Sequence, residues 1–143
     1  MDYIFAARIE PDPEGGFLVT FPDVPEAITS GDAMAEARAN GSEALGLALR
    51  GIAALGRPLP QQKARGKGLV PIAVAPDTAL KLAVIEAFAK SGLSKRELAR
   101  RLGKAETEAR RILDPDHPTK LPLLQATLGL LGKEIVVSVR DAA

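Results

Sequence analysis

Residues 94–103 read Ser-Lys-Arg-Glu-Leu-Ala-Arg-Arg-Leu-Gly, and this stretch decides how the second half of the chain folds. Ser94 and Glu97 have the spacing of a capping box, which favours a helix that begins directly after the serine. The two leucines share one face of that helix with the small alanine, so a second helix could cross closely there. Gly103 supplies a helix C-cap and a tight turn.

A second helical segment follows at residues 104–113, where Ala109, Ile112 and Leu113 have helical spacing. Two short helices joined by a turn with glycine are typical of the helix-turn-helix, which places its second helix in the major groove of DNA. A helical hairpin with no role in DNA binding has the same spacing. The pattern therefore leaves both interpretations open.

Basic side chains on both predicted helices could contact DNA phosphates. The candidate DNA-binding residues are Lys95, Arg96, Arg100, Arg101, Lys104, Thr107, Arg110 and Arg111. Of these, Thr107 and Arg110 are the better candidates for contacting base edges. Glu106 and Glu108 lie in the first turns of the second helix, where a carboxylate repels phosphate but can accept a hydrogen bond from cytosine. A basic face that is only solvated remains the alternative.

Composition indicates a soluble globular protein of one domain or two small ones. The chain has 143 residues, of which 46% are apolar and 26% charged, within the usual range for such proteins. It has no cysteine, which fits a reducing compartment. The start of the chain does not resemble a signal peptide, and the apolar runs are too short to span a bilayer. We expect a cytoplasmic protein with no membrane partner.

Charge is distributed unevenly along the chain. Residues 1–60 contain nine acidic and four basic residues, a net charge of −5, whereas residues 61–113 contain twelve basic and five acidic residues, a net charge of +7. An acidic half and a basic half suggest two partners of opposite charge. Two solvated surfaces with an accidental bias are the alternative.

The first half of the chain contains short β-favouring runs separated by turns, and it contains one long helix. The predicted strands are residues 3–10, 17–21, 27–30 and 69–74. A turn rich in Pro and Gly joins the first two strands as a hairpin. Asp32 is expected to cap a helix that runs to about Leu55, and Pro71 indicates an edge strand. This order, β-β-β-α-β, predicts a first domain of residues 1–75.

The second domain, residues 76–143, is predicted to be helical with a terminal strand, which makes the whole chain an α+β protein. One helix runs from Pro76 to Lys90, and the helix-turn-helix follows it. A fifth helix is lined by Leu121, Leu124, Leu128 and Leu131.

The terminal strand, residues 133–139, has no obvious partner in sequence, and an isolated strand leaves its backbone groups unpaired. The candidate dimerisation residues are Ile135, Val136, Val137 and Val139, which would pair with the same strand of a second chain. Pairing within the chain, against residues 69–74, is the alternative.

Few residues suggest catalysis. His117 is the single histidine and lies in a loop with prolines, and the chain has neither cysteine nor a glycine-rich phosphate motif. Acidic residues cluster around the first hairpin, but acids are ordinary in turns. Metal-dependent nuclease chemistry needs carboxylates that converge from rigid elements, and the middle of the first strand is Phe5-Ala6-Ala7. We predict no catalytic residue, no metal and no cofactor.

Taken together, the chain resembles the HicB family of type II antitoxins. The N-terminal residues of the resemblance are a Tyr-Ile-Phe strand, the Gly15-Gly16 hairpin, Phe-Pro-Asp-Val-Pro at residues 21–25 and Ser-Gly-Asp at residues 30–32. Residues 94–103 and residues 112–121 resemble the family's Xre/Cro-type helix-turn-helix. The resemblance covers nearly the whole chain, apart from residues 61–68.

The resemblance implies a degraded RNase H-like domain that masks a HicA-like toxin, a small basic ribonuclease that cleaves mRNA. It also implies that the second domain binds operator DNA, as a homodimer or a higher homo-oligomer, and represses the antitoxin's own operon. The candidate toxin-binding residues are Glu10, Asp12, Glu14, Phe21, Asp23 and Asp32. A stand-alone transcription regulator with an N-terminal ligand-sensing domain is the rival interpretation, and a metal-dependent nuclease is a weaker one.

Overall fold

The computed structural model describes residues 1–142, and this part of the chain contains four strands and five helices. In chain order they are β1 (Ile4–Pro11), β2 (Phe17–Thr20), β3 (Ile28–Gly31), α1 (Met34–Ala54), β4 (Leu69–Ala73), α2 (Pro76–Ser91), α3 (Lys95–Leu102), α4 (Glu106–Ile112) and α5 (Leu121–Leu130). The predicted α+β class is confirmed, and so is the order β-β-β-α-β followed by helices.

Two compact units divide the chain, one from Met1 to Leu82 and one from Ala83 onward. The predicted boundary followed residue 75, before α2, whereas the division falls inside α2. The reason is that Leu82 belongs to the core formed by the sheet and α1. The assignment of one function to each domain stays a prediction.

The strands of the first unit form one antiparallel sheet in the order β3-β2-β1-β4. β1 and β2 make the predicted hairpin, with Arg8 opposite Thr20. Gly16 in its turn has φ of +72°, and a Cβ there would lie 2.5 Å from the carbonyl oxygen of Gly31 in β3. A side chain at Gly16 would be both strained and obstructed, so the turn needs glycine at this position.

One face of this sheet, which we call the inner face, packs against α1 because alternate strand residues point to the same side. Its buried apolar side chains come from the strands and from the helix: Phe5, Ala7, Val19, Ile72, Ala37, Leu45 and Leu49. The helix approaches the sheet closely at Gly41, where a Cβ would lie 3.0 Å from Ile72 Cδ1 and 3.2 Å from Val19 Cγ1. This packing compensates for the low helix propensity of that glycine.

The start of α1 differs from the prediction. The N-cap residue is Ala33, no side chain caps the helix, and Asp32 is exposed. β3 continues through Gly31, so the chain uses Asp32 and Ala33 to turn from strand into helix. The prediction that Asp32 caps the helix was therefore wrong.

The second unit has its own small core. Leu98 and Ala99 of α3 and Ala109 of α4 are buried together, with partly buried apolar side chains around them. In α5, Leu124 and Leu128 are buried as predicted, but Leu121 is 55% exposed. Leu121 is the first residue of α5, and Thr127 occupies a buried position in that helix, where its hydroxyl donates to the Leu123 carbonyl at 2.7 Å.

The C-terminal segment forms no strand within the described residues. Val136, Val137 and Val139 are 80%, 80% and 92% exposed, and residues 133–142 belong to no sheet. The sheet ends at β4, and no residue of the described C-terminal segment joins it, so the alternative of pairing with residues 69–74 of the same chain is wrong. Pairing with a second chain stays a prediction.

Two glycines of the first unit should respond in opposite directions to alanine. Gly51→Ala should raise the free energy of unfolding by about 0.5–1 kcal/mol, because the position is exposed in α1 and no atom lies within 4 Å of the new Cβ. Gly31→Ala should lower it by about 1–3 kcal/mol, because the new Cβ would overlap the backbone of Ala37.

Urea unfolding followed by circular dichroism measures both changes. The free energies of unfolding can be compared if each variant has the same m value as the wild type. Equal midpoints for the two variants would contradict this account of the contact between α1 and β3.

Candidate functional site

Hydrogen bonds at both ends of α3 fix the turn that joins it to α4. Ser94 Oγ accepts the N–H of Glu97 at 3.1 Å, so the predicted N-cap is confirmed. At the other end, Gly103 has φ of +67°, and the N–H groups of Gly103 and Lys104 donate to carbonyl oxygens of α3 at 3.1 and 2.9 Å. This is the Schellman arrangement, and three residues separate the end of α3 from the start of α4.

Glu97 binds two arginines on the exposed side of α3. Its carboxylate accepts from Arg100 Nε at 2.9 Å, from Arg100 Nη2 at 2.6 Å and from Arg101 Nε at 3.0 Å. The capping box is therefore half formed, because this carboxylate binds the arginines rather than the backbone of Ser94. The hydrogen bond from Arg100, and then the one from Arg101, lowers the pKa of Glu97 to about 2. The same contact raises the pKa of Arg100.

The arginines of α4 are paired in the same way. Arg110 Nη2 lies 3.0 Å from Glu106 Oε1, and Arg111 Nη1 lies 2.7 Å from Glu108 Oε1. Both pairs are exposed and lie one helical turn apart in sequence, where such contacts are geometrically easy. The two glutamates in the first turns of α4 therefore partly neutralise the arginines beside them.

The remaining candidate DNA-binding residues are exposed and carry no ion pair within the described part of the chain. They are Lys95, Arg96 and Lys104, all cations, and Thr107, which is neutral. The structure thus places all eight candidates on the surface of α3, α4 and the turn between them. The seven cationic candidates therefore form two groups. Four arginines are paired with glutamates of their own helix, and the three other cations have no such ion pair among the described residues.

The candidate toxin-binding residues of the first unit do not all share one environment. Glu10, Glu14 and Asp32 are exposed, and Glu10 lies 3.5 Å from Arg8. Asp12 is partly buried and accepts the N–H of the residue two positions later at 3.0 Å, so it stabilises the hairpin turn. Phe21 is only 2% exposed and belongs to the core.

The prediction that Phe21 contacts a partner was therefore wrong for its side chain. Its aromatic ring packs in the core between the sheet and α1, which removes it from the surface.

Asp23 has a structural role that the sequence did not predict. Its Oδ2 accepts the backbone N–H groups of Lys63 and Ala64 at 2.9 and 2.8 Å. Gln62 adds a hydrogen bond to the carbonyl oxygen of Asp2. These contacts hold residues 61–68, which we call the strap, against the rest of the unit. The sequence around Asp23 indicates only a turn, and it does not show that this side chain contacts a segment forty residues later in the chain.

The face of the sheet opposite α1, which we call the outer face, is covered in part by the strap. A shallow cavity there is lined by Ile4, Ala6 and Pro71 from β1 and β4 and by Ala64 and Arg65 from the strap. The half formed by β2 and β3 exposes two apolar side chains.

Leu18 of β2 is 39% exposed, and Ile28 of β3 is 62% exposed. Neither was predicted as a functional residue, because the strand sequences Phe-Leu-Val-Thr and Ile-Thr-Ser-Gly do not alternate between apolar and polar residues and so give no signal for which side chains face the solvent.

Two further observations concern metal ions and membranes. No group of three or more His, Cys, Asp or Glu side chains that could hold a metal ion occurs among residues 1–142. No helix in that range is both long enough and apolar enough to span a bilayer.

Relatives of the chain carry a common name. The Antitoxin HicB of Escherichia coli K12 is 34% identical over 131 residues, which are 92% of this chain and 95% of that protein. Antitoxin HicB 1 of Photorhabdus laumondii is 32% identical over 94% of this chain and 86% of its own length. The Antitoxin HicB of Pseudomonas fluorescens Pf0-1 is 30% identical over 96% of this chain and 94% of its own.

A scan against protein-family models finds no match. The relatives nevertheless cover both units at 30% identity or more, and the chain belongs to the HicB antitoxin family.

Proposed function

We propose that this antitoxin masks a HicA-like, mRNA-cleaving toxin with its first unit and represses its own operon by binding DNA with its second. The antitoxin itself carries out no catalysis and acts in the cytoplasm. The observation that carries the proposal is the acidic charge of the turns and flanking segments around β1, β2 and β3 in a HicB-family chain. Residues 1–32 contain seven acidic residues and one basic residue, Arg8. An acidic surface complements a basic RNA-binding partner and speeds its association.

The DNA-binding part of the proposal rests on the α3–α4 pair. Its short glycine turn and exposed cations are those of a helix-turn-helix whose second helix enters the major groove. Arg100, Arg101, Arg110 and Arg111 are the proposed phosphate contacts, and Thr107 is the proposed base contact. Each of the arginines lies beside a carboxylate of its own helix. Phosphate oxygens would replace those carboxylates when DNA binds.

The proposed dimer rests on the C-terminal segment. Three of its valines are exposed by 80% or more, and its backbone belongs to no sheet within the described residues. Pairing of this segment with its counterpart in a second chain would satisfy the backbone groups and bury the valines. The same symmetry would present two helix-turn-helix modules to two halves of an inverted repeat.

The first prediction concerns the toxin. The chain should copurify with a small basic protein encoded beside it and should block cleavage of mRNA by that protein. Glu14→Lys should slow association several-fold at low salt, because it reverses a charge at the exposed tip of the hairpin, and the difference should shrink at high salt. Glu43→Lys, at an exposed position of α1, is the matched control and should behave like the wild type.

Gel filtration and stopped-flow association measure these outcomes. The absence of any complex would reject the toxin-masking role and favour a stand-alone regulator.

The second prediction concerns DNA. Arg110→Ala should weaken binding to the promoter and reduce the slope of log K against log salt by about 1, because one phosphate contact is lost. Glu106→Gln should have the opposite effect on affinity, because it frees Arg110 from its carboxylate. Fluorescence anisotropy at several salt concentrations measures both variants, with Arg57→Ala in the first unit as the control.

Equal weak affinity of the wild type for promoter and random DNA would indicate that the α3–α4 pair serves assembly rather than recognition.

The third prediction concerns the dimer. Val137→Pro should yield monomers with weakened DNA binding and intact toxin capture, because proline removes a backbone donor from the proposed ladder. Val137→Thr keeps the donor and the branched side chain, so it should remain dimeric. Light scattering gives the oligomeric state, and a Val137→Pro variant that stays dimeric would reject the strand pairing.

A further inference from the structure

The β2–β3 half of the outer face exposes two large apolar side chains beside two small polar ones. Leu18 lies opposite Ser30, and Thr20 lies opposite Ile28, so all four residues share this face. Ile28 is 62% exposed and Leu18 is 39% exposed. Two large apolar side chains on neighbouring strands of a sheet give a surface that a partner can cover with a gain in apolar burial.

Both edges of the sheet are occupied by polar side chains of α1. At the β3 edge, Asn40 Nδ2 donates to the carbonyl oxygen of Ser30 at 2.8 Å. At the β4 edge, Ser42 Oγ donates to the carbonyl oxygen of Ala73 at 2.6 Å, and Arg38 donates to that of Pro71 at 3.4 Å. Addition of a strand from a partner needs free edge groups. These bonds occupy three edge carbonyl oxygens and so compete with strand addition, whereas docking on the outer face needs no edge group.

The strap restricts docking to one half of that face. It lies against β1 and β4, fixed by the two hydrogen bonds to Asp23 and the one from Gln62. It also carries Lys63, Arg65 and Lys67. The strap therefore covers the β1–β4 half of the outer face, and its positive charge repels a basic partner.

Exposed acidic side chains lie on the strand beside the open half and in the chain segments that precede and follow β3. Glu10 is on β1, Glu26 precedes β3 and Asp32 follows it, and all three are exposed. Arg8 is the single base among residues 1–32 and lies 3.5 Å from Glu10. An apolar centre with a charged rim is the usual anatomy of a protein interface, and the sign of this rim fits a basic partner.

We infer that the β2–β3 half of the outer face is the surface that holds the basic toxin, with Leu18 and Ile28 as the apolar contacts at its centre. This inference rests on the proposed toxin-masking function and adds its location. The three exposed acidic side chains raise the rate at which the toxin associates with this surface. Burial of Leu18 and Ile28 lowers the rate at which it dissociates.

Ile28→Lys and Leu47→Lys form a matched pair for the test. Ile28 on β3 and Leu47 on α1 are both 62% exposed, so each lysine changes an equally exposed apolar side chain into the same cation. The full-length variants are titrated by calorimetry against the purified toxin encoded beside the chain. Ile28→Lys should raise the Kd about tenfold or more, and Leu18→Lys should act in the same direction. Leu47→Lys should stay within about twofold, since a surface change outside an interface has little effect.

Thermal unfolding of each variant separates a lost contact from a lost fold, and Ile28→Thr preserves the branched strand residue if lysine unfolds the sheet. Wild-type affinity in Ile28→Lys and Leu18→Lys, or equal losses in Leu47→Lys, would overturn the inference while the toxin-masking function stands. If Ile28→Lys converts a dimer into a monomer and leaves the toxin affinity unchanged, the face binds a second copy of this chain. That result would also overturn the inference. Failure of the wild-type chain to bind the toxin would reject the proposed function itself.

Discussion

The close packing of α1 on one face of the four-stranded sheet is the constraint on which the first unit depends. Gly41 lets the helix backbone approach Val19 and Ile72, so the core closes with small and branched side chains and few aromatic ones. One helix covers one face only. The opposite face must then be covered by the strap or by another molecule, or remain in water.

The same helix also decides which parts of the sheet are accessible. Because α1 runs across the sheet, Asn40 reaches one edge while Arg38 and Ser42 reach the other, and their hydrogen bonds occupy edge carbonyl oxygens. Asp23 fixes the strap over a second region through two backbone N–H groups. The β2–β3 half of the outer face is the part of the sheet that these contacts leave open.

Charge in the second unit is arranged differently from charge in the first. The acids of residues 1–32 have almost no basic neighbours in sequence, whereas each of four arginines on α3 and α4 meets a glutamate of its own helix. Exposed pairs within a helix contribute little stability, so exchange of a carboxylate for a phosphate costs little. Glu97 accepts three of these hydrogen bonds, from Arg100 and Arg101, and they lower its pKa to about 2.

Local rules were enough to predict the order of the elements from β1 to α5, the hairpin and the ends of α3, because caps and turns involve residues a few positions apart. The predicted terminal strand, residues 133–139, does not form within the described residues. The burial of Phe21, the role of Asp23, the solvent-facing start of α5 at Leu121 and the later start of α1 were decided by tertiary structure. Each depends on contacts or competition between distant segments, as with Asp23 and a strap forty residues away. The sequence by itself determined the elements from β1 to α5 and indicated the family, and packing decided which of their side chains remain exposed.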